Sequence, residues 1–259
     1  MRMKLKGSTA LVTGGAVRIG RAIAEALAAE GAGVVIHCRS SKDEAAALEH
    51  AIRERGGAAW SVHADLDEPA DCARLIPRAA DLAGGPILTL INNASRFDKD
   101  SLDTLTPDGL QHEFRTNLFA PLILMQEFAR QGVAGSVINL LDRRIAGLDT
   151  LAATYSLTKC ALSEATRLAA LTWAPRIRVN AVAPGPALPP PGAGRKDRVL
   201  DLAGHVPLER ECPPAEIAQA VIFLLLAPGI TGQCLFVDGG QHLLGDPQRY
   251  TTGSGRSPS

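Results

Sequence analysis

The chain has 259 residues, of which 46% are hydrophobic, and carries 27 Lys+Arg against 27 Asp+Glu for a formal net charge of zero. That balance offers no basic footprint for nucleic acid, and the most apolar run, VIFLLLA at 221–227, is far too short to span a bilayer. With no signal-type segment in MRMKLKGST, a cytoplasmic chain is expected. The five cysteines lack metal-type spacing with the six histidines and are expected to be unpaired thiols, with no metal site.

STALVTGG reads as a β-strand running into glycine, followed by the helix AVRIGRAIAEALAAEG and a second strand, GVVIHCRS. This is a βαβ unit of about 30 residues, the context a nucleotide-binding glycine loop requires. Gly14 and Gly20 belong to the loop, and Arg18 stands where a middle glycine is expected. Such a loop lets unpaired N–H groups at a helix start approach a pyrophosphate; an ordinary tight turn is the alternative. After the second strand an NAD-selective protein places Asp or Glu against the ribose, whereas this chain places Arg39 and Ser40. With Arg18 these donors suit a 2′-phosphate, hence NADPH.

A helix, DEAAALEHAIRERG, leads to a third strand, AAWSVHAD. Asp65 and Leu66 follow; Asp65 suits the adenine edge of a dinucleotide and equally suits a helix cap, as does Asp67 before Pro69. ILTLINNAS is the fourth strand, closing on Asn92, Asn93, Ala94 and Ser95, small and polar groups that permit close approach of a flat cofactor. GLQHEFRTNLFAPLILMQEFARQ reads as one long helix with Asn117 in its middle, an unfavourable residue there that is ordinarily tolerated at the surface.

The fifth strand, GSVINLLD, delivers Asp142 at its carboxyl end, where parallel sheets bind ligands. In the next helix, LAATYSLTKCALSEATRLAAL, Tyr155 and Lys159 stand at i and i+4 and share a face. The ammonium is expected to favour the phenolate and move Tyr155 toward a working pKa. Tyr-x-x-x-Lys alone also describes a Tyr packed under a Lys stem. RIRVNAVAPG is the sixth strand, stopped by Pro184, Gly185 and Pro186; residues 186–206 form a proline- and glycine-rich substrate loop; PAEIAQAVIFLLLA is a helix and GQCLFVDGG the seventh strand. Strands alternating with helices predict one α/β domain over 1–244, a Rossmann-like doubly wound parallel sheet, with 245–259 as a flexible tail.

Taken together, TGGAVRIG, Asp65-Leu66, NNAS, Asn117, YSLTK, the PG after strand six and ITGQCLFVDGG resemble the short-chain dehydrogenase/reductase family over about residues 7–244. The resemblance implies Tyr155 as proton donor, Lys159 as the group that lowers its pKa and holds the nicotinamide ribose, and Asn117 as support for a relay water. It implies a cofactor set of Gly14, Arg18, Ile19, Gly20, His37, Arg39, Ser40, Asp65, Leu66, Asn93, Ala94, Ser95, Tyr155, Lys159, Pro184 and Gly185, and a homotetramer. Arg18, Asp142 in the family's serine position, HCRS and NNASRF are similar to the pteridine reductase branch. In that branch Arg18 and Ser95 would hold a pterin or folate substrate, Phe97 would stack on it, and Asp142 would work with Tyr155. A carboxylate would repel a carbonyl reductase's oxyanion, but suits C=N reduction, which ends by protonating nitrogen. The expected function is NADPH-dependent reduction of a dihydropterin; the alternatives are carbonyl reduction and a non-catalytic NADPH-binding subunit.

Overall fold

The computed structural model describes residues 5–147, 149–187 and 206–244. Its centre is a seven-stranded, wholly parallel sheet in the order β3-β2-β1-β4-β5-β6-β7. The strands are β1 Thr9–Val12, β2 Gly33–Cys38, β3 Ala59–His63, β4 Thr89–Asn92, β5 Gly135–Leu140, β6 Ile177–Pro184 and β7 Cys234–Val237. The order reverses between β1 and β4, the switch point beyond whose carboxyl ends open α/β sheets bind ligands. The predicted fold class is therefore observed. Most of the expected substrate loop, 188–205, and the expected tail, 245–259, lie outside the described residues.

Period-two alternation explains how one sheet serves two cores. Ala10 and Val12 of β1 join the layer built with α1 (Arg18–Ala29), α2 (Lys42–Glu54) and α7 (Pro214–Leu226), whereas Leu11 joins the layer under α3 (Pro69–Ala83), α5 (Ala120–Arg130) and α6 (Ala153–Trp173). Val34 and Ile36 against Val35 repeat the division on β2. All six are fully buried, consistent with short apolar strands covered on both faces.

A buried polar chain registers α6 against the sheet. Asn92 Nδ2 donates to Asn139 Oδ1 at 2.8 Å, and Asn139 Nδ2 donates to Thr166 Oγ1 at 2.9 Å. Amide donors paired inside an apolar layer tolerate little sliding, because a broken bond leaves a desolvated donor. This fixes the helix that carries Tyr155 and Lys159.

The single long helix expected around Asn117 is broken. α4 (Pro107–Phe114), capped by Thr106 Oγ1 accepting from Gly109 N–H, passes into a π turn over Arg115–Phe119 before α5 begins. Asn117 lies within that turn and is fully buried. A wider turn inserts a residue into the helical register and turns side chains inward, which periodicity alone does not reveal; such bulges concentrate at functional sites.

Candidate active site

At the carboxyl ends of β1, β2 and β4 lies a cavity of about 570 Å³. Among its walls are Gly14, Arg18, Ile19, Gly20, His37, Arg39, Ser40, Asp65, Leu66, Asn93, Ala94 and Ser95. Val17, Asp67, Arg96, Asp98 and Thr116 complete it and are outside the cofactor set expected from the sequence. Pro184 and Gly185 are not on its wall; the Gly185 N–H donates to Val237 O at 2.9 Å, and its Cα packs where an added Cβ would stand 2.6 Å from Asp238 Cα.

The glycine loop is held from behind. Asn93 Nδ2 donates to the carbonyls of Thr13 and Gly14, while Thr13 Oγ1 accepts from Asn93 and Ala94 N–H. Gly14 has φ +59°, and a Cβ on Gly20 would meet Gly14 O at 2.1 Å, so the first turn of α1 lies directly on the loop. Arg18 holds φ +54°, the left-handed conformation that glycine would adopt without strain. A backbone cradle of this kind, beside Arg18, Arg39 and Ser40, fits a phosphorylated dinucleotide.

Two expected cofactor residues have other primary tasks. His37 is a buried strut: Nδ1 accepts the Gly14 N–H at 3.1 Å and Nε2 donates to Ala64 O at 3.1 Å. These fixed partners set the tautomer, and burial lowers its pKa to about 4. Arg39 reaches Asp67 at 3.6 Å and Asp65 at 4.0 Å, so the cation read as a 2′-phosphate ligand also answers two carboxylates. Asp67, read as a possible helix cap, instead accepts the Thr116 hydroxyl, and the cap residue of α3 is Glu68.

Ser95 joins the cavity to the catalytic side. Its hydroxyl donates to Asn117 Oδ1 at 3.0 Å, and the same side chain draws the pKa of the Tyr155 phenol downward. Lys159 is buried one turn beyond Tyr155, with Nζ donating to Leu140 O at 2.9 Å and 5.5 Å from the Tyr155 ring centre. Burial lowers its pKa to about 8, against the opposing influence of Asp142 and Glu113. The phenol departs from expectation. Burial and then Asp142 raise Tyr155 well above its ordinary pKa, with Arg144 and Ser95 pulling the other way. Desolvation dominates, and the Lys159 ammonium is turned to the Leu140 carbonyl.

Asp142 also differs from a bare carboxyl beside a phenol. Tyr155 Oη donates to Asp142 Oδ2 at 3.4 Å, a long contact. Asp142 caps a short 3₁₀ turn, Arg143–Ile145, by accepting the Arg144 N–H at 2.9 Å, and the Arg144 guanidinium reaches both its oxygens at 3.1 and 3.2 Å. The same guanidinium binds Asp149 at 2.7 Å and lies 5.3 Å from the Phe97 ring centre. Phe97 meets Tyr155 edge-on at 4.8 Å and is 45% exposed, leaving ring surface for a ligand. Arg144 is thus a member of the site.

Comparisons with known proteins agree with the fold and the NADP cofactor. A family profile described as enoyl-(acyl carrier protein) reductase matches residues 15–242. The chain belongs to the short-chain dehydrogenase/reductase family. It is a short-chain oxidoreductase. Among solved structures, FolM alternative dihydrofolate reductase 1 from Brucella canis, complexed with NADP, has TM-score 0.87 and 40% identity, covering 93% of this chain and 96% of that one. A glucose and ribitol dehydrogenase homolog from Oryza sativa subsp. japonica is 34% identical over 92% of this chain and 86% of its own. A granaticin polyketide synthase putative ketoacyl reductase 2 from Streptomyces violaceoruber is 36% identical over 91% and 96%. Among the described residues no cluster suits a metal ion, and no helix is long and apolar enough to cross a membrane.

Proposed function

We propose that this protein is an NADPH-dependent reductase of a dihydropterin or dihydrofolate. The observation that carries the reading is the Asp142 carboxylate at the Tyr155 phenol, flanked by the half-exposed Phe97 ring. The likeness to a FolM alternative dihydrofolate reductase supports the same substrate class. Arg18, Arg39 and Ser40 would hold the cofactor's phosphates, and Lys159 its nicotinamide ribose. When bound, NADPH supplies the hydride for the C=N carbon.

The chain's own contribution is to bind, orient and deliver a proton. Phe97 covers one face of the flat substrate; stacking adds about 1 kcal/mol beyond burial. The Tyr155 hydroxyl, kept protonated by its high pKa, is the proton source at the substrate nitrogen. Asp142 accepts from Tyr155 and Arg144 together, so it orients the phenol and stabilises positive charge developing as nitrogen gains its proton. Arg18 and Ser95 would hold the polar edge of the ring.

Loss of NADPH absorbance with 7,8-dihydrobiopterin and dihydrofolate, beside a 1,2-diketone and NADH, tests the reading. NADPH-specific turnover of a pterin or folate supports it. A second reading, carbonyl reduction, draws on the ketoacyl reductase relative; turnover of the diketone alone would establish it. NADPH binding without any turnover would mark a non-catalytic subunit. A cytoplasmic homotetramer belongs to the same reading, with sedimentation as its test.

A further inference from the structure

Glu113 is a carboxyl that neither the sequence reading nor the proposed chemistry uses, and it is only 1% exposed. It sits at the end of α4, one turn before Asn117. Its Oε1 accepts the Asp98 N–H at 2.7 Å and its Oε2 accepts Asn117 Nδ2 at 2.5 Å. Asn117 makes three further bonds: Nδ2 donates to Arg96 O at 2.9 Å, and Oδ1 accepts from Arg96 N–H at 2.9 Å and from Ser95 Oγ at 3.0 Å. The Arg96 peptide, with a fixed donor and a fixed acceptor, leaves the amide one orientation.

We propose that Glu113 is a positioning residue of the active site: its carboxylate locks the Asn117 amide so that its oxygen holds Ser95 against Tyr155, and uptake of a proton by Glu113 releases that lock. The chemistry follows from donor counting. Each Glu113 oxygen accepts from an N–H group that cannot accept in return, so a carboxyl proton seated on a remaining lone pair gains no partner from either group and turns two charge-assisted bonds into weaker neutral ones. Burial raises the Glu113 pKa to about 7, which brings the event into the neutral range. Asp98 and Asp100 add repulsion from the segment after β4, while the Asp98 N–H bond and the Arg96 charge oppose it. From α6 the facing charge is Lys159, whose ammonium Glu113 favours in return. Glu113 and Asn117 stand at i and i+4, the spacing that places side chains on one helical face, and both are buried.

The inference rests on Asn117, Ser95 and Tyr155 as the working groups and does not depend on a pterin as acceptor. Two readouts test it on the full-length protein. In ¹⁵N TROSY spectra without substrate, the Asp98 amide should titrate with a midpoint near 7, and Glu113→Gln should abolish that titration. In kinetics with NADPH and either 7,8-dihydrobiopterin or a 1,2-diketone, wild-type kcat should fall as pH drops through the same midpoint. Glu113→Gln, which sets an NH₂ against one of the two donors, should lower kcat about tenfold, remove that limb and leave the NADPH Kd within about twofold. Glu113→Asp should restore part of the limb, and stands in if the Gln variant does not fold. An Asp98 amide that does not move near neutrality, or a Gln variant with wild-type kcat and profile, overturns the proposal. If neither acceptor is reduced, the substrate reading fails while the amide titration still decides Glu113.

Discussion

The two sides of the cleft are built by different means. On the β1–β2 side, backbone makes the site: glycines with positive φ, a helix start pressed on a loop, and Asn93, Thr13 and His37 satisfying the loop's peptide groups from behind. On the β5–α6 side, side chains make it: Asp142, Arg144, Asp149, Phe97 and Tyr155 hold one another through charge and ring contacts. Backbone cradles recognise what every dinucleotide shares, its phosphates. Side-chain clusters set which acceptor is reduced, because they can be exchanged without disturbing the sheet.

If that division is correct, damage on the catalytic side should spare cofactor binding. The largest effect is expected for Tyr155→Phe, which removes the proposed proton donor: kcat should fall roughly 10²–10⁴-fold, with NADPH binding by fluorescence unchanged. Equal weakening of binding and turnover would mean the two sides are not separable. Next is Gly20→Ala, whose methyl would occupy the space of the Gly14 carbonyl; NADPH affinity should fall at least about 100-fold, because the cradle must open.

His37 gives the backbone side a pH signature. Its folded pKa of about 4 lies below the ordinary histidine value of 6.5, so unfolding takes up a proton between them. Stability attributable to this group therefore falls as pH drops from 6.5 toward 4, by on the order of 3 kcal/mol. Thermal melts across that range should show the slope in wild type and lose it in His37→Gln; an unchanged slope would remove the strut from the account. The smallest effect is expected for Arg39→Ala. Its side chain is half exposed and shared with Asp65 and Asp67, so the NADPH KM should rise only about tenfold, with NADH little affected. Equal effects on both cofactors would show that Arg39 does not meet the 2′-phosphate.

The same division explains what the sequence made legible. The succession of strands and helices, the glycine loop and the placement of Tyr155 and Lys159 follow from period, glycine position and local spacing, all of which are read within one element. Asn117 was singled out, but its burial was not, because a π turn has no period of its own in the chain. Glu113 stands four residues before Asn117, a spacing that pairs them on one helical face, but an acid in a polar stretch gives no sign that this face is buried. Arg144 is one of two adjacent arginines, and nothing in the sequence says that it, and not Arg143, folds back on Asp142. The phenol's pKa was misjudged for a related reason: spacing put Lys159 nearby, but only the structure shows its ammonium turned to Leu140 and the ring desolvated.

The central claim is that Asp142 selects C=N reduction. The direct measurement is kcat/KM for 7,8-dihydrobiopterin and for a 1,2-diketone, with NADPH, in wild type and in Asp142→Ser. The account predicts that the substitution lowers the pterin value by about 10²-fold or more while raising the diketone value from near background. Equal pterin activity in the two proteins would remove Asp142 from the mechanism and leave a carbonyl reductase with an acid in an unusual place.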